Sequence, residues 1–306
     1  MDWIADADTI IFHWKYNLKP DIKLISGYTK LIFCDYEFDE KIFEHYLHNI
    51  QIFKYHIYSD IFHLKYRGSY FNKNVSELPH NLTHITFGSE FNQSVSNLPP
   101  FTTHLTFGNH FNGDVSKLPP FLTHLFFGYS FNKDISNLPP SLTHLIFGND
   151  FNQCVSKLPP FLTHLNLGQY FNQDVSKLPS TIIHLSLGYE FKQQYEFHPN
   201  IKYLELNCNN QYIIDSLPNS IVELELSKNF NLEMNNLPTS IKKLIISRDS
   251  LYDADLNCLP DFVEELQLNY YYVKRISHIP YNLKKIKCSE KYPYIKDFSS
   301  YVVETY

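Results

Sequence analysis

Six histidines fall on one 20-residue beat: His84, His104, His124, His144, His164 and His184. Each follows the same short frame, written Leu-Thr-His-Leu in three of the copies, so any structure that stacks the copies brings six imidazoles into line. Imidazoles on neighbouring strands are potential metal ligands, and a row of groups titrating near about 6.5 could sense pH. Two features weigh against a metal. No carboxylate recurs beside the histidines to orient them, and their spacing is set by the repeat, not by a coordination sphere. Duplication of one surface residue gives the same line with no chemistry attached. Surface packing is therefore the first reading, contact with a partner the second, and a metal the last; no metal ligand and no cofactor is assigned.

No other arrangement in the chain suggests catalysis. There is no nucleophile with a base and an orienting group, and no glycine-rich phosphate loop. The recurrent serine of Val-Ser-x-Leu-Pro (Ser96, Ser116, Ser156) reads as a turn residue. No catalytic residue is assigned, and an enzyme is not expected.

The elements that would position the histidines follow from the repeat itself. Phe-Asn recurs at 71, 91, 111, 131, 151 and 171 inside the frame Leu-Pro-x-x-Leu-Thr-His-Leu-x-Phe-Gly-x-x-Phe-Asn. In the copy from Leu138 to Asn152, Leu142, Leu145 and Phe147 follow the spacing L-x-x-L-x-L. Residues 143 to 147 then form a short strand with Leu145 and Phe147 inward and His144 and Ile146 outward. Twenty residues must hold this strand, a turn, a return and a second turn, which leaves no room for an ordinary helix. The return is expected to be extended or 3₁₀, with the Leu-Pro corner placed where no ladder hydrogen bond is needed. Seven of the nine glycines stand at Gly68, Gly88, Gly108, Gly128, Gly148, Gly168 and Gly188. That placement suggests a positive φ or a bend at the end of each strand. Phe91, Phe111, Phe131, Phe151 and Phe171 should stack as a core spine, and Asn92, Asn112, Asn132, Asn152 and Asn172 as an amide ladder that satisfies the tight turns.

The expected fold is a leucine-rich-repeat-like solenoid with one curved parallel sheet of about 11 or more coils and few or no α-helices. The regular repeats run from 68 to 192. From 193 to 290 they degenerate, although Pro199, Pro218, Pro238, Pro260 and Pro280 continue the corner. Residues 1 to 67 read as diverged repeats or a cap, with TKLIF (29 to 33) and NIQIF (49 to 53) as eroded strands, and 291 to 306 as a tail or cap. A period that persists over 306 residues favours one continuous body over two ordinary domains.

Composition narrows the partners. A net charge of −6 with dispersed basic residues gives no footprint for nucleic acid. No run approaches the roughly 20 apolar residues that span a bilayer, and the start of the chain lacks the pattern of a secretory signal, so a cytoplasmic location is expected. Cys34, Cys154, Cys208, Cys258 and Cys288 are odd in number, lack C-x-x-C spacing and read as reduced packing residues.

These residues closely resemble the FNIP repeat family, a leucine-rich-repeat-like family abundant in slime moulds and in giant viruses of amoebae of the mimivirus type. The resemblance implies a viral or slime-mould protein, and some members carry an amino-terminal F-box that recruits a ubiquitin ligase. Residues 1 to 67 show no such box.

Recognition is most readily encoded at the second outward strand position, which reads Thr86, Thr106, Phe126, Ile146, Asn166 and Ser186. Phe126 and Ile146 should form an exposed apolar spot flanked by His124 and His144, with Thr106 and Asn166 beside it. The histidine position itself continues as Tyr203, Glu223, Lys243, Glu265 and Lys285, alternating in sign over its last four members. The leading expectation is a non-catalytic scaffold that binds a protein partner through this surface, with neither nucleic acid nor membrane as partner. The alternatives are a substrate-recognition subunit for ubiquitination, and a metal- or pH-responsive element built on the histidines.

Overall fold

The computed structural model describes residues 3–6, 8–12, 27–33, 36–37, 65–66 and 70–306. The segment 49 to 53, Gly68 and Cys34 lie outside the described residues. The chain divides into two compact units, residues 1–142 and 143–306.

In the first unit, β1 (Trp3–Asp6) pairs antiparallel with β2 (Thr9–Phe12), and β2 pairs in parallel with β3 (Lys30–Phe33). The next ladder partner of β3 is β6 (His84–Thr86), so Lys30 stands in the histidine register beside His84. Parallel pairing then runs through β7 (His104–Thr106) to β8 (His124–Phe126). Between β3 and β6 the chain forms a separate two-stranded antiparallel ladder, β4 (Tyr36–Glu37) with β5 (Lys65–Tyr66).

The second unit is a run of parallel strands: β9 (His144–Ile146), β10 (His164–Asn166), β11 (His184–Leu187), β12 (Tyr203–Leu206), β13 (Glu223–Leu226), β14 (Lys243–Ile246), β15 (Glu265–Gln267), β16 (Lys285–Cys288) and β17 (Val302–Thr305). Each pairs in parallel with its sequence neighbour. Helix is confined to α1 (Gln211–Asp215) and one 3₁₀ turn (Ile295–Phe298). This is a parallel β-solenoid.

Each coil is built as its alternation predicts. Leu105 and Phe107 are buried while His104 and Thr106 are half-buried on the other face. On the return side the chain turns twice through i→i+3 hydrogen bonds, as in Leu122 N–H to Pro119 C=O and Leu138 N–H to Ile135 C=O. Proline opens the second turn, where its missing N–H costs no ladder bond.

The spine is a two-column stack in the first unit. Phe71, Phe91, Phe111 and Phe131 follow one another at 6.0 to 6.2 Å between ring centroids. The strand-end rings Phe87, Phe107 and Phe127 lie face to face with Phe91, Phe111 and Phe131 at 3.8, 3.8 and 3.7 Å. The asparagine ladder also forms: Asn92, Asn112 and Asn132 each donate the backbone N–H to the side-chain Oδ1 one coil earlier, at 3.0 Å. In the second unit Asn152 accepts in the same way from Asn172, and Asn172 from Lys192.

Of the two possibilities raised for the corner glycines, a bend or a positive φ, the second is met at one corner. Among the described residues only Gly168 has a positive φ, at 78°. At Gly108 and Gly128 the constraint is close approach, since a Cβ there would come closer than 3.0 Å to the carbonyl of the glycine one coil earlier. The backbones touch where the strands end, and only hydrogen fits between them.

Towards the carboxyl end of the second unit the spine passes from phenylalanine to tyrosine. Phe230, Tyr252, Tyr272 and Tyr292 stack in sequence at 6.1 to 6.5 Å. The hydroxyls of Tyr272 and Tyr292 donate to the carbonyls of Ala254 (3.2 Å) and Lys274 (2.8 Å). The Tyr252 hydroxyl is buried and has no hydrogen-bond partner among the described residues. Tyr252→Phe is therefore expected to stabilise the protein by about 1 kcal/mol and Tyr292→Phe to destabilise it by a similar amount, read as opposite shifts in the urea midpoint.

Candidate binding face

The histidine line is a stack of rings in van der Waals contact. In the first unit His84 and His104 lie 4.0 Å apart between centroids, and His104 and His124 4.1 Å, tilted by 11° and 12°. In the second unit His144, His164 and His184 are spaced at 4.0 Å, and Tyr203 continues the stack at 4.0 Å and 3°. The strands impose this spacing, because the histidines are register partners in adjacent parallel strands.

A threonine before the histidine fixes the ring in every copy but the last. Thr103 and Thr123 donate their hydroxyl protons to the carbonyls of Thr83 and Thr103, at 3.2 and 3.1 Å. The same oxygens lie 2.9 Å from Nδ1 of His104 and His124. A hydroxyl carries one proton; with that proton on the carbonyl, Nδ1 must be the donor and Nε2 the acceptor. Thr163 and His164 repeat the pattern in the second unit, with Thr163 donating to Thr143 C=O at 3.1 Å. His184 follows Ile183 and has no such threonine. Burial lowers the pKa of His164. Burial first and His164 second bring that of His184 down to about 4.

Beside the histidines runs the variable column. In the second unit it reads Ile146, Asn166, Ser186, Glu205, Glu225, Ile245 and Gln267 in register. Asn166 Oδ1 accepts from Gly168 N–H at 2.9 Å, and Glu205 Oε1 from Ser227 Oγ at 2.6 Å. Burial, then Glu205 and Glu223, raise the Glu225 pKa to about 7, against the pull of Lys243. The alternating charges of the first column pair as Glu223 with Lys243 at 3.0 Å, and Lys285 reaches Glu304 at 2.9 Å.

Thr106, His124 and Phe126 belong to the first unit, and His144, Ile146 and Asn166 to the second. Thr106 and Ile146 are half-buried on the outer column. Phe126 is not an exposed residue: it is only 8% accessible, with its ring 6.3 Å from that of His124. Strand alternation sets the face on which a side chain leaves the sheet, but a ring of this size lies down on its neighbours and is covered.

The prominent exposed aromatics are elsewhere. Phe101 and Phe121 are 57% and 56% accessible at the Pro-Pro corner of the first unit and stack at 6.2 Å, and Phe161 at the matching corner of the second unit is 64% accessible. The signal was present in Pro-Pro-Phe: an apolar residue directly after two prolines in a turn has no strand to carry it inward. Among the described residues no three His, Cys, Asp or Glu side chains group as metal ligands, and no helix is long and apolar enough to cross a membrane. Cys154, Cys208, Cys258 and Cys288 are free thiols.

One short strand per coil, in-register parallel pairing and a Leu/Phe interior define a β-solenoid repeat protein of the leucine-rich-repeat-like class. The FNIP Repeat model matches residues 71–110, 112–150, 131–157, 151–189, 197–229 and 209–249, more than half of the chain, and the chain belongs to that family. Among solved structures it is similar to CroV588, described as a novel circular LRR protein, with 30% identity and a TM-score of 0.47 over 73% of this chain and 42% of that one. It is also similar to YopM from Yersinia enterocolitica WA-314, with 18% identity and a TM-score of 0.31 over 71% of this chain and 64% of that one. The chain thus spans less than two thirds of either protein. No curated protein matches it in sequence.

Proposed function

We propose that this protein is a non-catalytic interaction scaffold that recognises a protein partner through the outer face of its parallel strands. The observation that carries this reading is the contrast between the two outward columns. One repeats a stacked imidazole from His144 through His164 to His184, while over the same three strands the other changes from Ile146 to Asn166 to Ser186. A repeat frame of this kind presents side chains at fixed spacing without ordering them on binding, which lowers the entropic cost of recognition.

Thr106 and His124 on the first unit, and His144, Ile146 and Asn166 on the second, are the proposed contact residues. Phe126 is covered, its ring tilted by 38° at 6.3 Å from that of His124, and is not among them. Ile146→Asp is expected to preserve the circular dichroism spectrum and thermal midpoint while weakening partner binding at least tenfold, about 1.4 kcal/mol. Phe126→Asp would instead lose about 3 kcal/mol of stability by placing a charge in a covered site. The partner is to be identified by proximity labelling with the wild-type chain and its affinity measured by calorimetry. Unchanged affinity in Ile146→Asp would remove this face from the interaction.

A further inference from the structure

We propose that the imidazole stack of the second unit, His144, His164 and His184, is a proton-sensitive seam that joins neighbouring coils while neutral and forces them apart when acid charges adjacent rings. The geometry supports it in three steps. The rings stand face to face at 4.0 Å, so two neighbouring imidazoliums would hold like charges at van der Waals separation in partly desolvated surroundings, where repulsion is poorly screened. The stack is also in strand register, so the rings cannot move apart without disturbing the ladder between β9, β10 and β11.

Finally, no carboxylate acts on His164 or His184 to compensate the charge. The outer positions of β9, β10 and β11 are His144, Ile146, His164, Asn166, His184 and Ser186, with no carboxylate among them. Asn166 Oδ1 already accepts from Gly168, and the Thr163 hydroxyl is committed to Thr143 C=O and His164 Nδ1. On β12 the groups that face the stack are Tyr203, against His184, and Glu205, in register with Ser186 and bonded to Ser227. Beyond them on β13, Glu223 is paired with Lys243 of β14.

The direction of the pH effect follows. An unfolded chain takes up protons on His164 and His184 near about 6.5, whereas in the folded stack both resist them, His184 down to about 4. Between those values the unfolded state binds more protons, so this contribution is complete above about 6.5 and is lost as the pH falls through the window.

The test compares the wild type with His164→Gln/His184→Gln in thermal melts from pH 8 to 4.5 at constant ionic strength. Carboxylate protonation acts on both proteins, so the difference between them isolates the seam. The wild-type midpoint is expected to fall by about 5 °C more than that of the double variant. Equal falls would overturn the proposal. If the double variant does not fold, the wild type decides alone, through imidazole proton resonances followed by NMR. A subset of the fifteen histidines titrating below pH 5.5 supports the seam, and all fifteen titrating between pH 6 and 7 overturns it.

Discussion

Gly108→Ala is expected to destabilise the first unit by about 3 to 5 kcal/mol, far more than an ordinary glycine-to-alanine change. Alanine is not excluded here by its backbone conformation, because Gly108 does not have a positive φ. The obstacle is that the new Cβ would lie closer than 3.0 Å to Gly88 O, Gly88 C and Ser89 N. All three are backbone atoms, so no side chain can swing aside to make room. The coil itself would have to move, yet it is fixed on both flanks of the contact. Thr103 N–H and His104 N–H both bond to Thr83 C=O at 2.8 and 3.0 Å, and Asn112 N–H bonds to Asn92 Oδ1 at 3.0 Å. A shift that relieves the clash stretches these bonds and pulls Phe111 out of its stack. Gly113→Ala is the control. Its nearest neighbours are the Cε2 and Cζ atoms of the Phe111 ring, at 3.1 and 3.2 Å, which can yield by a few tenths of an ångström, and a loss of no more than about 1 kcal/mol is expected. Urea denaturation of the two variants measures the contrast. A Gly108→Ala protein as stable as Gly113→Ala would show that the coils are not held in backbone contact.

The sequence discloses position more readily than cause. The histidine line, the inward Phe and the Asn ladder follow from a period and an alternation, and those are properties of residue spacing. At the corner glycines the need for a small residue is visible in sequence, and a positive φ accounts for it at Gly168, but at Gly108 and Gly128 the atom that demands glycine is in another coil. Phe126 was misplaced for a related reason. Period-2 alternation assigns a face of the sheet but not the depth of the cover on that face. Phe101 and Phe121 share the repeat period of the core aromatics, and only the two prolines before each mark them as corner residues. The tyrosine spine of Tyr252, Tyr272 and Tyr292 keeps a 20-residue step but lacks the Phe-Asn pair that marks the spine in the regular repeats.

Removing one ring from the first unit's spine should have an effect as large as the glycine change, by the opposite mechanism. Phe111 is fully buried, with Phe91 at 6.2 Å, Phe131 at 6.1 Å and the face of Phe107 at 3.8 Å. Phe111→Ala leaves a cavity bounded by rings that are pinned by their own coils and cannot collapse into it, for an expected loss of about 3 to 5 kcal/mol. Phe111→Leu refills most of the volume and should cost about 1 to 2 kcal/mol. Phe121→Ala, at a ring 56% accessible, should cost no more than about 0.5 kcal/mol, which separates spine from surface among residues of the same type in the same repeat. Because each coil touches only its neighbours, the damage should also be local in hydrogen exchange. The amides of His104 and His124, which close the ladder onto Thr83 and Thr103, should lose protection first, while those of β14 and β15 in the second unit keep theirs. Uniform loss of protection across both sets would show instead that the repeats unfold as one cooperative block, and that the spine acts as a single element and not as a chain of neighbour contacts.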